Sequence, residues 1–517
     1  MSGLRDRLAR VRVLRAGRAL FRRGPAEAAA ELRGTLASTE AGRRGVEADR
    51  HGEPTAARAA WTALAAEGSE QAATRLRLVE GRLRETDVGW LPPLGGPAIH
   101  LEPAARRRVL HLVKSSVPDR WSGYTIRTQR NMEAQVGAGL EPVVVTELGW
   151  PRIAGVADFP MRATIDGVEH RRLDRGPGYD PRTLPADQEL ADLAEALVPV
   201  VEDVRPAILQ AHSGHRGGEL ALVALALRQR FGIPVVYEVR GLFETAWAGD
   251  FAGAEQSELF RRRLAQEDRI LREVDGILSI SEALTDLLVS RGVARERIRL
   301  LPNGIDPADF QPAPRDEGLR TRLGLDGRFV VGYVGNLDHR REGIADLIAA
   351  VVELHRRGRT DVAMLVVGDG PRRPELETAA RAAGLGSAAR FTGRVPHDQV
   401  AGYYAQMDVH ANPRIDEWAS RYITPLKPFE AMALGRPILV SDLPALREIA
   451  DPPRRGLVAA PEDPAALADA IATLADDPPL RERLAAAGRA WVTTERTWAA
   501  NGPRYRAAYE AVLGPLD

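Results

Sequence analysis

Lysine is almost absent from this chain of 517 residues. Of its 71 basic side chains only Lys114 and Lys427 are lysine, and the others are arginine. Lys427 lies in the run Thr424-Pro425-Leu426-Lys427-Pro428-Phe429-Glu430, which reads as a loop entering a helix. Proline is tolerated in a first turn, Glu430 falls in that turn, and Gly435 ends the helix. A cation at the positive end of a helix is opposed by the dipole unless an anion binds there, so the segment predicts a phosphate site. Further polar chemistry collects at strand ends. Gly335-Asn336 and Gly368 close two candidate strands, and Phe391–Val395 closes a third. Arg340 and Arg341 precede the helix Gly343–Arg356, where two guanidinium groups beside a helix start have the chemistry of a diphosphate cradle. Arg414 follows another strand. In the first half, the loop 114–128 carries Gly123 toward a helix, and Gln210–Gly218 places His212 and His215 outside a strand end. Imidazole is the side chain most readily recruited near neutral pH.

These residues need elements to position them. From Val109 onward, short β-branched runs alternate with helical periodicity, the pattern of a parallel sheet flanked by helices. Expected strands are Val109–Val113, Pro142–Thr146, Ala207–His212, Pro234–Val239, Gly276–Ile280 and Ile298–Leu301. After the proline- and charge-rich stretch Asp306–Gly318 the alternation restarts with Phe329–Val334, Ala363–Val367, Arg390–Thr392, Val409–Ala411 and Ile438–Val440. The fold expected is therefore α/β, with two Rossmann-like doubly wound domains at 104–310 and 318–480. A helical extension at 1–100 precedes them, with helices at Pro54–Ala66 and Glu70–Arg84. A helical tail at 481–517, anchored by Trp491, Trp498, Tyr505 and Tyr509, is expected to dock on the body.

Composition narrows the function. The net charge is zero, with 71 basic and 71 acidic side chains, so no global field favours nucleic acid. The absence of cysteine excludes thiolate nucleophiles and cysteine-ligated metal. No apolar run is long enough to span a bilayer, which predicts a cytoplasmic protein. The stretch Leu4–Arg23 predicts a basic amphipathic helix, suited either to an anionic membrane surface or to docking by its apolar stripe. The first alternative would make the protein peripheral on the inner face of the membrane.

Gly332–Leu337, Leu365–Gly370, Phe391–Val395 and Thr424–Pro437 resemble the donor domain of retaining glycosyltransferases of family 4. Leu301–Asp306 is similar to that family's interdomain segment. Ser122–Thr128, Tyr237–Gly241 and Thr424–Pro428 most resemble members linked to exopolysaccharide and surface-sugar assembly. The resemblance covers residues 107–480. It implies two facing domains of the GT-B type, a nucleotide-diphosphate-sugar donor, a glycan or lipid-linked glycan acceptor, retention at the anomeric carbon, and no obligatory metal or other cofactor. Catalysis would fall to His212, Lys427 and Glu430. Glu430 would bond the ribose hydroxyls, and Arg394 and Val395 would meet the base through their backbone. Thr424, Leu426 and Lys427 would hold the diphosphate, Gly123 would approach it, and His212 would touch the transferred sugar. Tyr124, Gly335, Asn336, Arg340, Arg341, Gly368, Arg414 and Pro425 complete the expected donor site.

The chain departs from the family in three places. Asn336 stands where the family has an arginine, Glu342 where it has a lysine, and Tyr422 where the first of two paired glutamates belongs. Arg340, Arg341, Arg414 and Arg421 are candidates to replace the missing cations. The alternative expectation is a catalytically degenerate relative that binds nucleotide and recruits partners through its helical extension.

Overall fold

The computed structural model describes residues 39–248 and 253–516, so the basic stretch Leu4–Arg23 lies outside the described residues. The chain divides into two compact units. Of the described residues, one comprises those within 39–125, 139–278 and 508–516, and the other 126–138 and 279–507.

Strands β1 (Arg108–Val113), β2 (Glu141–Leu148), β3 (Arg162–Ile165), β4 (Val168–Leu173), β5 (Ile208–His212), β6 (Val235–Val239), β7 (Gly276–Ser279) and β8 (Ile298–Leu300) form one sheet in the order β3-β4-β2-β1-β5-β6-β7-β8. The pairs β1–β2, β1–β5, β2–β4 and β5–β6 are parallel, and β3 joins the edge antiparallel to β4. This edge hairpin was not foreseen. It turns at Asp166-Gly167, both at positive φ, and its strands carry too many arginines to stand out as core.

The second unit contains β9 (Phe329–Val334), β10 (Val362–Val367), β11 (Ala389–Phe391), β12 (Val409–Asn412), β13 (Ile438–Ser441) and β14 (Gly456–Ala459), in the order β11-β10-β9-β12-β13-β14. All its pairs are parallel. Counted from β9, the order is that of a dinucleotide-binding sheet, and its topological switch point falls between β9 and β12. In the first sheet the corresponding reversal falls between β1 and β5.

Among its described residues the extension holds three helices, Glu40–His51, Pro54–Ala66 and Glu70–Glu85. The first was not expected, because its sequence carries two glycines. Thr39 caps it by accepting from Gly42 N at 3.0 Å, and Gly45 lets the buried Trp61 ring approach: a Cβ there would meet the indole at 2.7 Å. At the other end of the chain, the buried Tyr509 donates its hydroxyl to Gln210 of β5 inside the first unit.

The helix Ile344–Arg356 covers the second sheet with Leu347, Val351 and Leu354, all fully buried against β9 and β10. Leu354→Ala leaves a cavity there and is expected to lower the stability of the second unit by about 2–5 kcal/mol. A downward shift of that unit's urea midpoint checks it.

Candidate functional site

In the second unit the carboxyl ends of β9, β10 and β12 meet closely. A Cβ on Gly368 would lie 1.7 Å from Gly335 O, one on Gly343 would lie 1.6 Å from Pro413 O, and one on Gly335 would lie 2.3 Å from Lys427 Cε. Gly343 also caps the helix Ile344–Arg356 at φ 66°, a left-handed conformation open to glycine. Glycine is therefore required here by space, and Lys427 lies directly against the strand-end turn of β9.

Around it is a charge cluster. The Glu342 carboxylate, 6% exposed, accepts from Tyr333 Oη at 2.8 Å and from Arg414 Nη2 at 3.3 Å. Lys427 Nζ lies 3.5 Å from the same carboxylate and donates to Tyr333 Oη at 3.1 Å. Arg414 Nη1 also donates to Ile423 O at 3.1 Å. Burial by itself would push the Glu342 carboxyl up. Arg414, Lys427 and the Tyr333 hydroxyl outweigh burial and hold it well below the usual carboxylate range. Burial lowers Lys427, opposed chiefly by Glu342. A depressed carboxylate stabilises the fold above the ordinary carboxylate range, and that contribution is lost as pH falls through its folded pKa. Burial, then Lys427, push the neighbouring His410 down to about 3, so it is neutral at pH 7.

The helix carrying Lys427 has seven residues, Lys427–Ala433, with proline in its first turn. Glu430 accepts from Tyr404 Oη at 3.0 Å. Thr424 is buried, and its carbonyl accepts from Asn303 Nδ2 at 2.9 Å. Pro425 is buried beside it and Leu426 is half-buried. The four candidate replacement cations separate. Arg414 joins the cluster, whereas Arg341 contacts Glu342 only at 3.9 Å and pairs with Glu417 at 3.6 Å. Arg340 is exposed, and Arg421 pairs with Asp416 at 2.6 Å. Asn336 turns into its own loop, donating to Asp338 at 2.6 Å. Arg394 is exposed and Val395 half-buried beyond β11.

His212, expected at the transferred sugar, is fully buried. Its Nε2 lies 3.1 Å from His111 Nδ1, and its Nδ1 lies 3.2 Å from Glu238. Its ring therefore faces interior side chains in this structure.

Gly123 is exposed and opens the helix Gly123–Gly137. Next to it, Tyr124 belongs to a second cluster that sequence reasoning left half-seen. Lys114, at the end of β1, lies over the rings of Tyr124 and Phe243 at 4.6 and 4.8 Å, and donates to Gly214 O at 3.0 Å. Its rarity was the only signal in the sequence. Among the described residues no cluster of histidine and carboxylate side chains is arranged to hold a metal ion, and no helix is long and apolar enough to cross a membrane.

Comparison with known families matches residues 122–304 to a glycosyl transferase 4-like domain and residues 328–477 to glycosyl transferases group 1. The chain belongs to glycosyltransferase family 4. Among its relatives is a 2-deoxystreptamine glucosyltransferase of Streptomyces kanamyceticus, 34% identical over 48% of this chain and 64% of that protein. Another is a GDP-mannose-dependent alpha-mannosyltransferase of Mycolicibacterium smegmatis, 30% identical over 55% of this chain and 69% of that protein. The fold is that of the sucrose-phosphate synthase of Thermosynechococcus elongatus, with a TM-score of 0.64 at 23% identity over 78% of this chain and 99% of that one. The matched segment thus spans just under two thirds of the first relative's length. The three helices between residues 40 and 85 lie outside both matched family segments.

Burial drives the Lys114 ammonium down to about 8, with Glu219 and Glu147 opposing. With one other lysine in the chain, its acetylation is readily followed by peptide mass spectrometry. The rate is expected to rise with a midpoint near 8, against about 10.4 for an ordinary lysine. A midpoint in the ordinary range contradicts the assignment.

Proposed function

We propose that this protein transfers a sugar from a nucleotide-diphosphate donor to a glycan or lipid-linked glycan, with retention at the anomeric carbon. The observation that carries the reading is the placement of Lys427 and Arg414 around one buried carboxylate at the switch point of a dinucleotide-type sheet. Ligands of open parallel sheets bind at such a point. Breaking the sugar–phosphate bond develops charge on the departing diphosphate, and preorganised cations there favour the transition state over the ground state.

In this reading Lys427 meets the diphosphate, while Glu342 fixes its position and keeps it protonated. Glu430, with one oxygen oriented by Tyr404, bonds the ribose hydroxyls. Thr424, immobilised by Asn303, shapes the floor beneath the phosphates. The relatives named as a glucosyltransferase and as a GDP-mannose-dependent mannosyltransferase support a nucleotide-sugar donor. They leave its base and sugar to experiment.

Incubation with UDP-, GDP- and ADP-linked sugars and a glycan acceptor is expected to release the nucleoside diphosphate from one of them. Glu430→Gln should raise the donor KM by about tenfold, as loss of a hydrogen bond to a charged group does. Nucleotide binding without turnover of any donor would make the protein a nucleotide-binding relative and overturn the transferase reading.

A further inference from the structure

The loop Ser213–Gly218 leaves β5 at the switch point of the first sheet, beside Lys114. It is held by three carboxylates of its unit, Glu189, Glu219 and, from the extension, Glu85. Arg216 Nε donates to Glu85 Oε1 at 2.6 Å, and its Nη1 to Glu189 Oε2 at 2.9 Å. Its backbone N–H donates to Glu219 Oε1 at 2.8 Å, and the His215 N–H donates to the same oxygen. Gly214 N donates to Gly217 O at 2.8 Å, closing the turn. A Cβ at Gly214 would meet Glu219 Oε1 at 2.3 Å, so the carboxylate lies directly on the loop backbone.

Glu85 is the last residue of the helix Glu70–Glu85, and its own placement is fixed. Gln266 Nε2 donates to the carbonyls of Glu85 and Asp87 at 2.8 and 2.9 Å. Arg262 donates to Leu83 O and Thr86 Oγ1, each at 3.2 Å. The carbonyls of Leu83 and Glu85 are thus satisfied by side chains of the helix Glu258–Glu273, and the Glu85 carboxylate is delivered to Arg216. The Glu85 and Arg216 side chains are 5% and 22% exposed. Removing one partner of a charge pair so withdrawn from water leaves the other charge uncompensated.

We infer that Glu85 is a positioning residue for the substrate loop of the first unit, and that the extension is an integral part of that site. The loop stands where an open parallel sheet places its ligand. In the transferase reading, on which this assignment of substrate rests, it faces the acceptor glycan or the transferred sugar. Without Glu85, Arg216 keeps Glu189 but loses the anchor that fixes the other edge of its guanidinium.

The test uses the full chain. In Glu85→Gln, the amides of Gly214, His215 and Arg216 should exchange hydrogen about tenfold faster than in the wild type, as expected for a locally loosened segment. Turnover of the accepted UDP-, GDP- or ADP-linked sugar should fall by about the same factor, with the affinity for the free nucleoside diphosphate unchanged. Glu85→Asp, which keeps the charge, should restore most of the loop's protection. Glu53→Ala releases a separate contact of the extension, where Glu53 Oε1 accepts from Glu258 N at 3.1 Å, and should alter neither exchange nor turnover. Unchanged loop exchange in Glu85→Gln, or equal acceleration in Glu53→Ala, would overturn the inference. A wild-type protein that turns over no donor sinks the transferase reading instead, and leaves the exchange comparison to decide this one.

Discussion

The donor-side architecture depends on one buried carboxylate. Glu342 is withdrawn from water at the start of a helix, and an ion so placed carries a desolvation penalty of several kcal/mol unless it is paired and hydrogen-bonded. Arg414, Lys427 and Tyr333 meet that requirement together. Each comes from a different segment: Tyr333 from β9, Arg414 from the turn after β12, and Lys427 from the start of a short helix. The pairing holds two strand ends and a helix start in one arrangement. It is also why glycine is needed at 335, 343 and 368, where backbone and side chains approach too closely for a Cβ.

The same carboxylate gives meaning to the departure from the family pattern. A lysine is expected at 342, and this chain has glutamate. Lys427 supplies a cation that contacts that glutamate at 3.5 Å. The two side chains therefore form one ion pair beside the helix start where the resemblance places a lysine. Arg414 shares the carboxylate and is fixed by Ile423 O. Proximity in sequence offered Arg340, Arg341, Arg414 and Arg421 alike as replacements, and of the four Arg414 donates to the Glu342 carboxylate at 3.3 Å. Its position after β12 places it across the switch point from Gly335, a relation that sequence spacing does not display.

Much of the fold was legible because buried parallel strands read as short apolar runs. The central strands β1, β5, β6, β9 and β10 were found to within a residue or two. The elements that escaped were those whose stability is tertiary. The β3–β4 edge hairpin is rich in arginine, and the helix Glu40–His51 tolerates Gly45 only because Trp61 packs there. At the candidate site, Lys427 was legible by helix-start chemistry and Glu430 by the family resemblance. The linkage of Lys427 to Tyr333 and Glu342 was not, since residues nearly a hundred positions apart meet only through the order of the strands. His212 was legible as a strand-end histidine, yet its burial against His111 and Glu238 is set by the neighbouring strands.

The central claim is that Lys427, held by Glu342, reads the diphosphate. Calorimetric titration of nucleoside diphosphate against the matching monophosphate, on the wild type and on Lys427→Gln, tests it most directly. The wild type should prefer the diphosphate by about tenfold or more, the scale of one charge-assisted contact, and Lys427→Gln should lose most of that preference. A preference kept intact in Lys427→Gln would contradict the account.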